Sequence, residues 1–151
     1  ALFAACAEAG ARSAHSSDEM AKKAYLLGEM IGISFQIKDD IFDYYPSTEI
    51  GKPTANDMRE GKLTLPALYV LNNTNDEKIK NLAFRIRSLE ATKEEIDGFI
   101  DYVKENGGME YARKVMVEYR NKALDLLPPQ TSLPLREALA AYIDYVIERD
   151  N

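Results

Sequence analysis

The sequence predicts an all-α helical bundle, and three observations predict it. Apolar residues recur at helical spacing through most of the 151 residues. Cap residues, prolines and paired glycines punctuate them where helices start and stop. No stretch alternates apolar and polar residues for long, and no Asn-Gly or Asp-Gly hairpin separates β-rich runs.

Each element follows in order. Ala1 to Ala14 is alanine-rich and helix-prone. Ser16 and Glu19 have the spacing of a capping box, so a second helix is expected to begin near Ser17 and run to Tyr45, where Pro46 stops it. A break into two helices at Gly32 is the alternative. Pro46 to Leu63 reads as a long polar connection, and long connections in compact folds are usually functional or disordered. A helix restarts over Thr64 to Leu71, with Pro66 tolerated in its first turn. Another covers Asp76 to Leu89, capped by Asn75 or Asp76. Thr92-Lys93-Glu94-Glu95 forms a second capping box and opens a helix that stops at Gly107-Gly108. Met109 to Leu127 follows and is stopped by Pro128-Pro129. The last helix starts at Ser132, with Pro134 in its first turn, and carries Leu139, Tyr142, Ile143 and Val146. The total is six or seven helices in a single all-α domain, 1–151, with no internal repeat.

Composition bounds the function. Apolar residues make up 46% and charged residues 29%, which excludes a disordered polymer. No apolar run is long enough for a membrane span. One cysteine excludes a disulfide framework or a multi-cysteine zinc module. The net charge of -6 argues against nucleic acid as a partner. It leaves an anionic ligand open, because a metal ion reverses the local sign. The chain opens without Met and without a basic leader, and residue 1 already reads as mid-helix. A piece of a longer cytoplasmic protein is expected.

The chemistry concentrates at the end of the second helix. Asp39 and Asp43 are four residues apart, about 6 Å along a helix axis. Gln36 and Asp40 join the same stripe, which Glu29 and Gly32 extend. Met30, Ile33, Ile37, Ile41 and Tyr44 form one apolar face, and Phe35 and Phe42 another. A helix apolar nearly all round is expected to be buried, and buried unpaired carboxylates cost several kcal/mol each. A cation resolves that cost. Hard carboxylate oxygens with no thiol or imidazole nearby suit Mg²⁺ or Mn²⁺, with phosphate oxygens completing the shell. The bland alternative is a solvated acidic helix end, although acids are unfavourable near a helix C-terminus.

A second constellation follows at Gly51-Lys52-Pro53-Thr54-Ala55-Asn56-Asp57 and Gly61-Lys62-Leu63-Thr64-Leu65-Pro66. Lysines supply point charges for phosphate, and glycines allow close backbone approach. The P-loop spacing and its preceding strand are absent. An ordinary polar loop has the same composition. His15 reads as an exposed linker residue and Cys6 as a packed core residue. Tyr102, Tyr111, Tyr119, Tyr142 and Tyr145 read as packing between helices.

Together, Phe35-Gln36, Asp39-Asp40-Ile41-Phe42-Asp43, Gly51-Lys52-Pro53, Asp57 and Gly61-Lys62-Leu63-Thr64-Leu65-Pro66 resemble the second half of a trans-isoprenyl diphosphate synthase of the long-chain, octaprenyl type. The resemblance implies the C-terminal part of an isoprenoid-synthase-like fold. It implies a prenyltransferase whose substrates are an allylic diphosphate and isopentenyl diphosphate, whose cofactor is Mg²⁺, and which forms a homodimer at full length. Carried over, Asp39, Asp40 and Asp43 are metal ligands, directly or through water. Gln36 and Lys52 are catalytic and substrate-binding, and Lys62 binds substrate peripherally. Ala55 departs from the family's usual glycine. The family's first aspartate motif and its Lys-Thr pair are not in these residues, so the isolated chain is expected to be inactive. A related Mg²⁺–diphosphate terpene-type enzyme and a non-catalytic helical partner subunit are the alternative readings.

Overall fold

A computed structural model describes residues 1–45 and 55–148, with side chains to 145. The expectations placed on Pro46, Gly51, Lys52 and Pro53 lie outside the described residues. Among the described residues there are eight helices and no strand: α1 Leu2–Ser13, α2 Asp18–Phe42, α3 Asn56–Arg59, α4 Leu65–Asn73, α5 Glu77–Arg87, α6 Lys93–Glu105, α7 Gly108–Asp125 and α8 Leu133–Glu148. The expectation of six or seven omits α3, a single turn inside the polar connection. α2 passes Gly32 without a break.

Local chemistry accounts for the boundaries. The expected Ser16–Glu19 box does not open α2; a single cap one residue on does, where the Met20 amide donates to the Ser17 hydroxyl at 3.3 Å, and the buried Ser16 hydroxyl has no partner among the described residues. Asp76 caps α5 by accepting the Lys78 amide at 2.8 Å. The Thr92–Glu95 box is complete, with both reciprocal hydrogen bonds present. Glu95 also takes a two-pronged pair from Arg85, which joins α6 to α5. That pair and the box amide hold the Glu95 carboxyl below its usual range. Four helices end with a left-handed residue one position past the cap. His15 (φ 56°) follows α1, Gly61 (φ 76°) follows α3, Leu89 (φ 60°) follows α5 and Gly107 (φ 81°) follows α6. The first three show the paired reverse bonds of a Schellman stop, such as Lys62 amide to Asp57 carbonyl at 2.8 Å and Gly61 amide to Met58 carbonyl at 3.0 Å.

The chain gathers into two compact units. The first takes Ala1–Lys38 and the segment from Val115 onward; the second is Asp39–Lys114. In the first, α1 runs against α2 at Gly28, where an added Cβ would sit 2.9 Å from the Ala4 Cα and closer still to the Phe3 carbonyl. Ile31, Ala123 and Ile143 form its core, with Phe3, Leu27, Met30 and Leu124 packed around them. The buried Ser34 hydroxyl donates to the Met116 carbonyl at 3.0 Å, so α2 buries no orphan there. Arg120 grips Asp144 through two bonds of 2.7 and 2.6 Å, joining α7 to α8. In the second unit, α5 packs on both α3 and α6, and α4 packs on α6. Tyr44, Met58, Val70, Ile86, Phe99 and Val103 are among the residues of its core.

Three packing expectations are corrected. Cys6 is exposed. It lies two residues, or about 200°, around α1 from buried Ala4 and so points the other way. Tyr142 and Tyr145 are also exposed, because α8 buries Ile143 and they flank it. Tyr111 does pack, stacked on Tyr69 with ring centroids 4.1 Å apart, and the Tyr102 hydroxyl meets Thr74 at 2.9 Å.

Gly98 lies inside α6 with open space at its Cβ position. Gly98→Ala is expected to raise stability by about 0.5–1 kcal/mol in urea unfolding, and Gly28→Ala to lower it by about 3 kcal/mol through overpacking.

Candidate functional site

The described part of the site lies in the second unit, where the end of α2 meets α3 and the start of α4. Ile37, Ile41 and Tyr44 turn inward, while Gln36 and Asp39 are exposed and Asp40 and Asp43 are half-buried. Phe35 is 41% exposed. The acidic stripe is therefore not enclosed among the described residues. α2 has one buried face here, and the acids lie along its edge and outer side.

α2 stops at Phe42, one residue before Asp43. The Asp43 carbonyl accepts the Ala55 amide at 2.9 Å. Its carboxylate accepts two more amides, Asn56 to Oδ1 at 2.9 Å and Asp57 to Oδ2 at 3.0 Å. These last two are the first helical amides of α3, which have no partner inside the helix. Ala55, the preceding residue, is buried and left-handed (φ 64°) and carries no capping side chain. Asp43 supplies the missing cap from the far side of the connection.

Tyr44 makes a second link. Its ring is buried and its hydroxyl lies 3.5 Å from the Thr64 hydroxyl, at the start of α4. Burial pushes the Tyr44 hydroxyl up to about 12; the Thr64 hydroxyl and the Ala67 amide oppose this, and the charges of Asp40 and Asp43 add to it. Asp43 and Tyr44 thus bring the aspartate motif onto the Asp57 to Pro66 segment. Sequence reasoning gave neither residue this linking role. Its one signal was an acid placed where a helix C-terminus disfavours it.

The other expected residues divide. Gln36 belongs to the first unit. Lys62 is exposed and paired with Glu60 at 2.6 Å and Asp57 at 3.7 Å, and the Glu60 carboxylate raises its pKa. Gly61 serves the α3 stop: its left-handed backbone comes near the Arg87 carbonyl, which a Cβ would approach at 3.0 Å. Among the described residues, no three His, Cys, Asp or Glu side chains are arranged to hold a metal. Asp39 and Asp40 fit a magnesium ion in a weaker sense, since that ion takes one or two carboxylates and fills its shell with phosphate oxygens and water.

The sequence profile of the family described as polyprenyl synthetase matches residues 1–103. The chain belongs to the polyprenyl synthetase family. It is 35% identical over 153 aligned residues to heptaprenyl diphosphate synthase component 2 of Geobacillus stearothermophilus, covering 99% of this chain and 46% of the relative. It is 32% identical to nonaprenyl diphosphate synthase of Mycobacterium tuberculosis, covering 98% and 44%. Among solved structures, geranylgeranyl pyrophosphate synthase from Bacteroides thetaiotaomicron superposes with a TM-score of 0.91 at 53% identity, over 98% of this chain and 49% of that one. Polyprenyl synthase from Caulobacter crescentus, described in complex with calcium and isoprenyl diphosphate, gives 0.84 at 30% identity, over 99% and 46%. The chain spans about half the length of the curated relatives it matches. The all-α isoprenoid-synthase fold and the family expected from the motifs are both present. No helix among the described residues is long and apolar enough to cross a membrane.

The raised Tyr44 pKa has a sign that can be measured. The unfolded phenol ionises from pH 10, whereas the folded one holds its proton to about pH 12. Tyr44's contribution is therefore complete below pH 10 and is lost as pH rises to 12, by roughly 2–3 kcal/mol. Tyr44→Phe is expected to flatten that part of the stability curve in denaturant titrations at pH 9 to 12.

Proposed function

We propose that the chain is the C-terminal half of a trans-polyprenyl diphosphate synthase, a prenyltransferase that joins an allylic diphosphate to isopentenyl diphosphate. The observation that carries this reading is the link between the Asp39-Asp40-Ile41-Phe42-Asp43 motif and the Asp57 to Pro66 segment, made by Asp43 and Tyr44. It occurs in a chain of the polyprenyl synthetase family. The family membership favours this reading over a terpene-type enzyme or a non-catalytic subunit.

In the reaction, the allylic carbon–oxygen bond breaks and its electron pair leaves with the diphosphate. The alkene of isopentenyl diphosphate forms the new carbon–carbon bond, and a proton is lost from the joined product. Charge develops on the departing diphosphate, so preorganised electrostatics is the main lever. Asp39 and Asp40 would hold a divalent metal, which when bound would supply Lewis-acid neutralisation of that charge. Magnesium is the ion proposed; the calcium in the Caulobacter structure supports a hard divalent ion in the family. Gln36 contacts the allylic diphosphate near its reacting carbon, and Lys52 meets the leaving oxygens. One unit charge at about 4 Å contributes roughly 4 kcal/mol at an effective dielectric of 20, so each lysine assists the metal and does not replace it. Lys62 reaches phosphate by exchanging its surface partners Glu60 and Asp57. The protein works as a homodimer at full length.

Steady-state assays of the intact protein with farnesyl diphosphate, isopentenyl diphosphate and Mg²⁺ test the reading. Asp39→Asn is expected to lower kcat by about 100-fold or more, and chelation of the metal to abolish turnover. The 151-residue chain alone is expected to give no elongation. Full activity of Asp39→Asn, or steady elongation by the chain alone, contradicts the assignment.

A further inference from the structure

We infer that Asp43 is a positioning residue and not a ligand of the metal: its carboxylate closes the backbone between α2 and α3, and metal binding falls to the other aspartates of the motif, Asp39 first. This deepens the function proposed above and, in its metal half, rests on it. The motif alone treats its three aspartates alike, because all carry the same oxygens. The structure separates them. Asp39 is exposed on the last turn of α2 and Asp40 is half-buried beside it. Asp43 lies beyond the helix, with one oxygen on the Asn56 amide and the other on the Asp57 amide. Its own carbonyl takes the amide of Ala55. Three consecutive amides thus end on one residue.

Turning that carboxylate toward a metal would strip two amides of a half-buried helix start. No other cap is available there, since Ala55 has no side-chain acceptor. An ionised acceptor on backbone amides is among the stronger hydrogen bonds, and orphaned amides are costly. The same placement resolves an electrostatic misfit. An acid is unfavourable at the C-terminal end of α2, yet favourable at the N-terminal end of α3, where the amide dipoles point at it.

Two measurements on the intact protein decide it. The first is amide hydrogen exchange over residues 55–59 without metal. Asp43→Ala is expected to speed exchange at Asn56 and Asp57 by about tenfold, Asp43→Asn by less because it keeps one acceptor, and Asp39→Asn not at all. The second is calorimetric titration with inorganic diphosphate in Mg²⁺. Asp39→Asn is expected to weaken binding about tenfold or more, and Asp43→Asn by less than about threefold. Unchanged exchange in Asp43→Ala overturns the inference. Equal losses of Mg²⁺-dependent binding in Asp43→Asn and Asp39→Asn do so as well. If the unsubstituted protein shows no Mg²⁺-dependent diphosphate binding, the function proposed above fails, and the exchange experiment still decides whether Asp43 is the cap.

Discussion

The amides that open a helix have no partners within it, and at α3 that requirement organises everything around the aspartate motif. α3 is one turn long and is preceded by a buried alanine, so it can cap itself neither by side chain nor by length. Both oxygens of Asp43 meet that need from thirteen and fourteen residues away in sequence. Because the carboxylate accepts two adjacent amides, it fixes the direction of α3 as well as its position. The Schellman stop at Gly61 then ends the turn, and α4 begins at Leu65 under the hydroxyls of Tyr44 and Thr64. The second unit's core, from Tyr44 through Met58 to Ile86 and Phe99, packs behind this arrangement.

The helices were legible in the sequence wherever a cap residue had one outcome. Thr92 and Glu95 form their box as the spacing requires, and Asp76 caps α5. Where two adjacent serines could both serve as N-cap, the sequence could not choose. Ser16 precedes Glu19 by three and Ser17 precedes Met20 by three, and only the second serine bonds the helix amide. Helix stops were less legible than starts. Two of the four left-handed stops carry His15 and Leu89, residues that give no turn signal, and the other two, Gly61 and Gly107, announce themselves. Which side of a helix is buried was partly legible. In α8, the apolar residues Leu139, Tyr142, Ile143 and Val146 suggest one face, yet burial centres on Ile143 and leaves Tyr142 outside.

The site was legible as chemistry and much less so as geometry. The acidic and basic residue types, their order and their spacing carried the family resemblance and with it the proposal of a diphosphate-binding motif. They could not show that Asp43 spends its carboxylate on backbone amides, because that contact closes across a connection and leaves no periodic trace. Ala55 illustrates the same limit from the other direction. Its departure from glycine reads as a stiffer loop, and its φ of 64° shows a strained backbone. A left-handed conformation costs an alanine about 1–2 kcal/mol. Burying its methyl group recovers about 0.8 kcal/mol, and replacing glycine by alanine lowers the entropy of the unfolded chain by a comparable amount. The opposing contributions nearly cancel, so alanine is tolerated where glycine would be expected.

Lys62 shows why exposure matters to the remaining chemistry. Its ammonium is exposed and already paired with Glu60 and Asp57. Solvent screens such a surface pair, so the pair is weak and exchangeable. In the function proposed above, a diphosphate, which carries more charge than either carboxylate, takes the lysine without disturbing the fold. The Asp43 contact is of the opposite kind. Its acceptors are matched one to one with amides that have no alternative partner, so substrate or metal could claim it only by unmaking the first turn of α3. Of these two charged groups, Lys62 has partners that can be replaced and is the one proposed to serve the reaction, whereas Asp43, whose partners cannot, holds the segment in place.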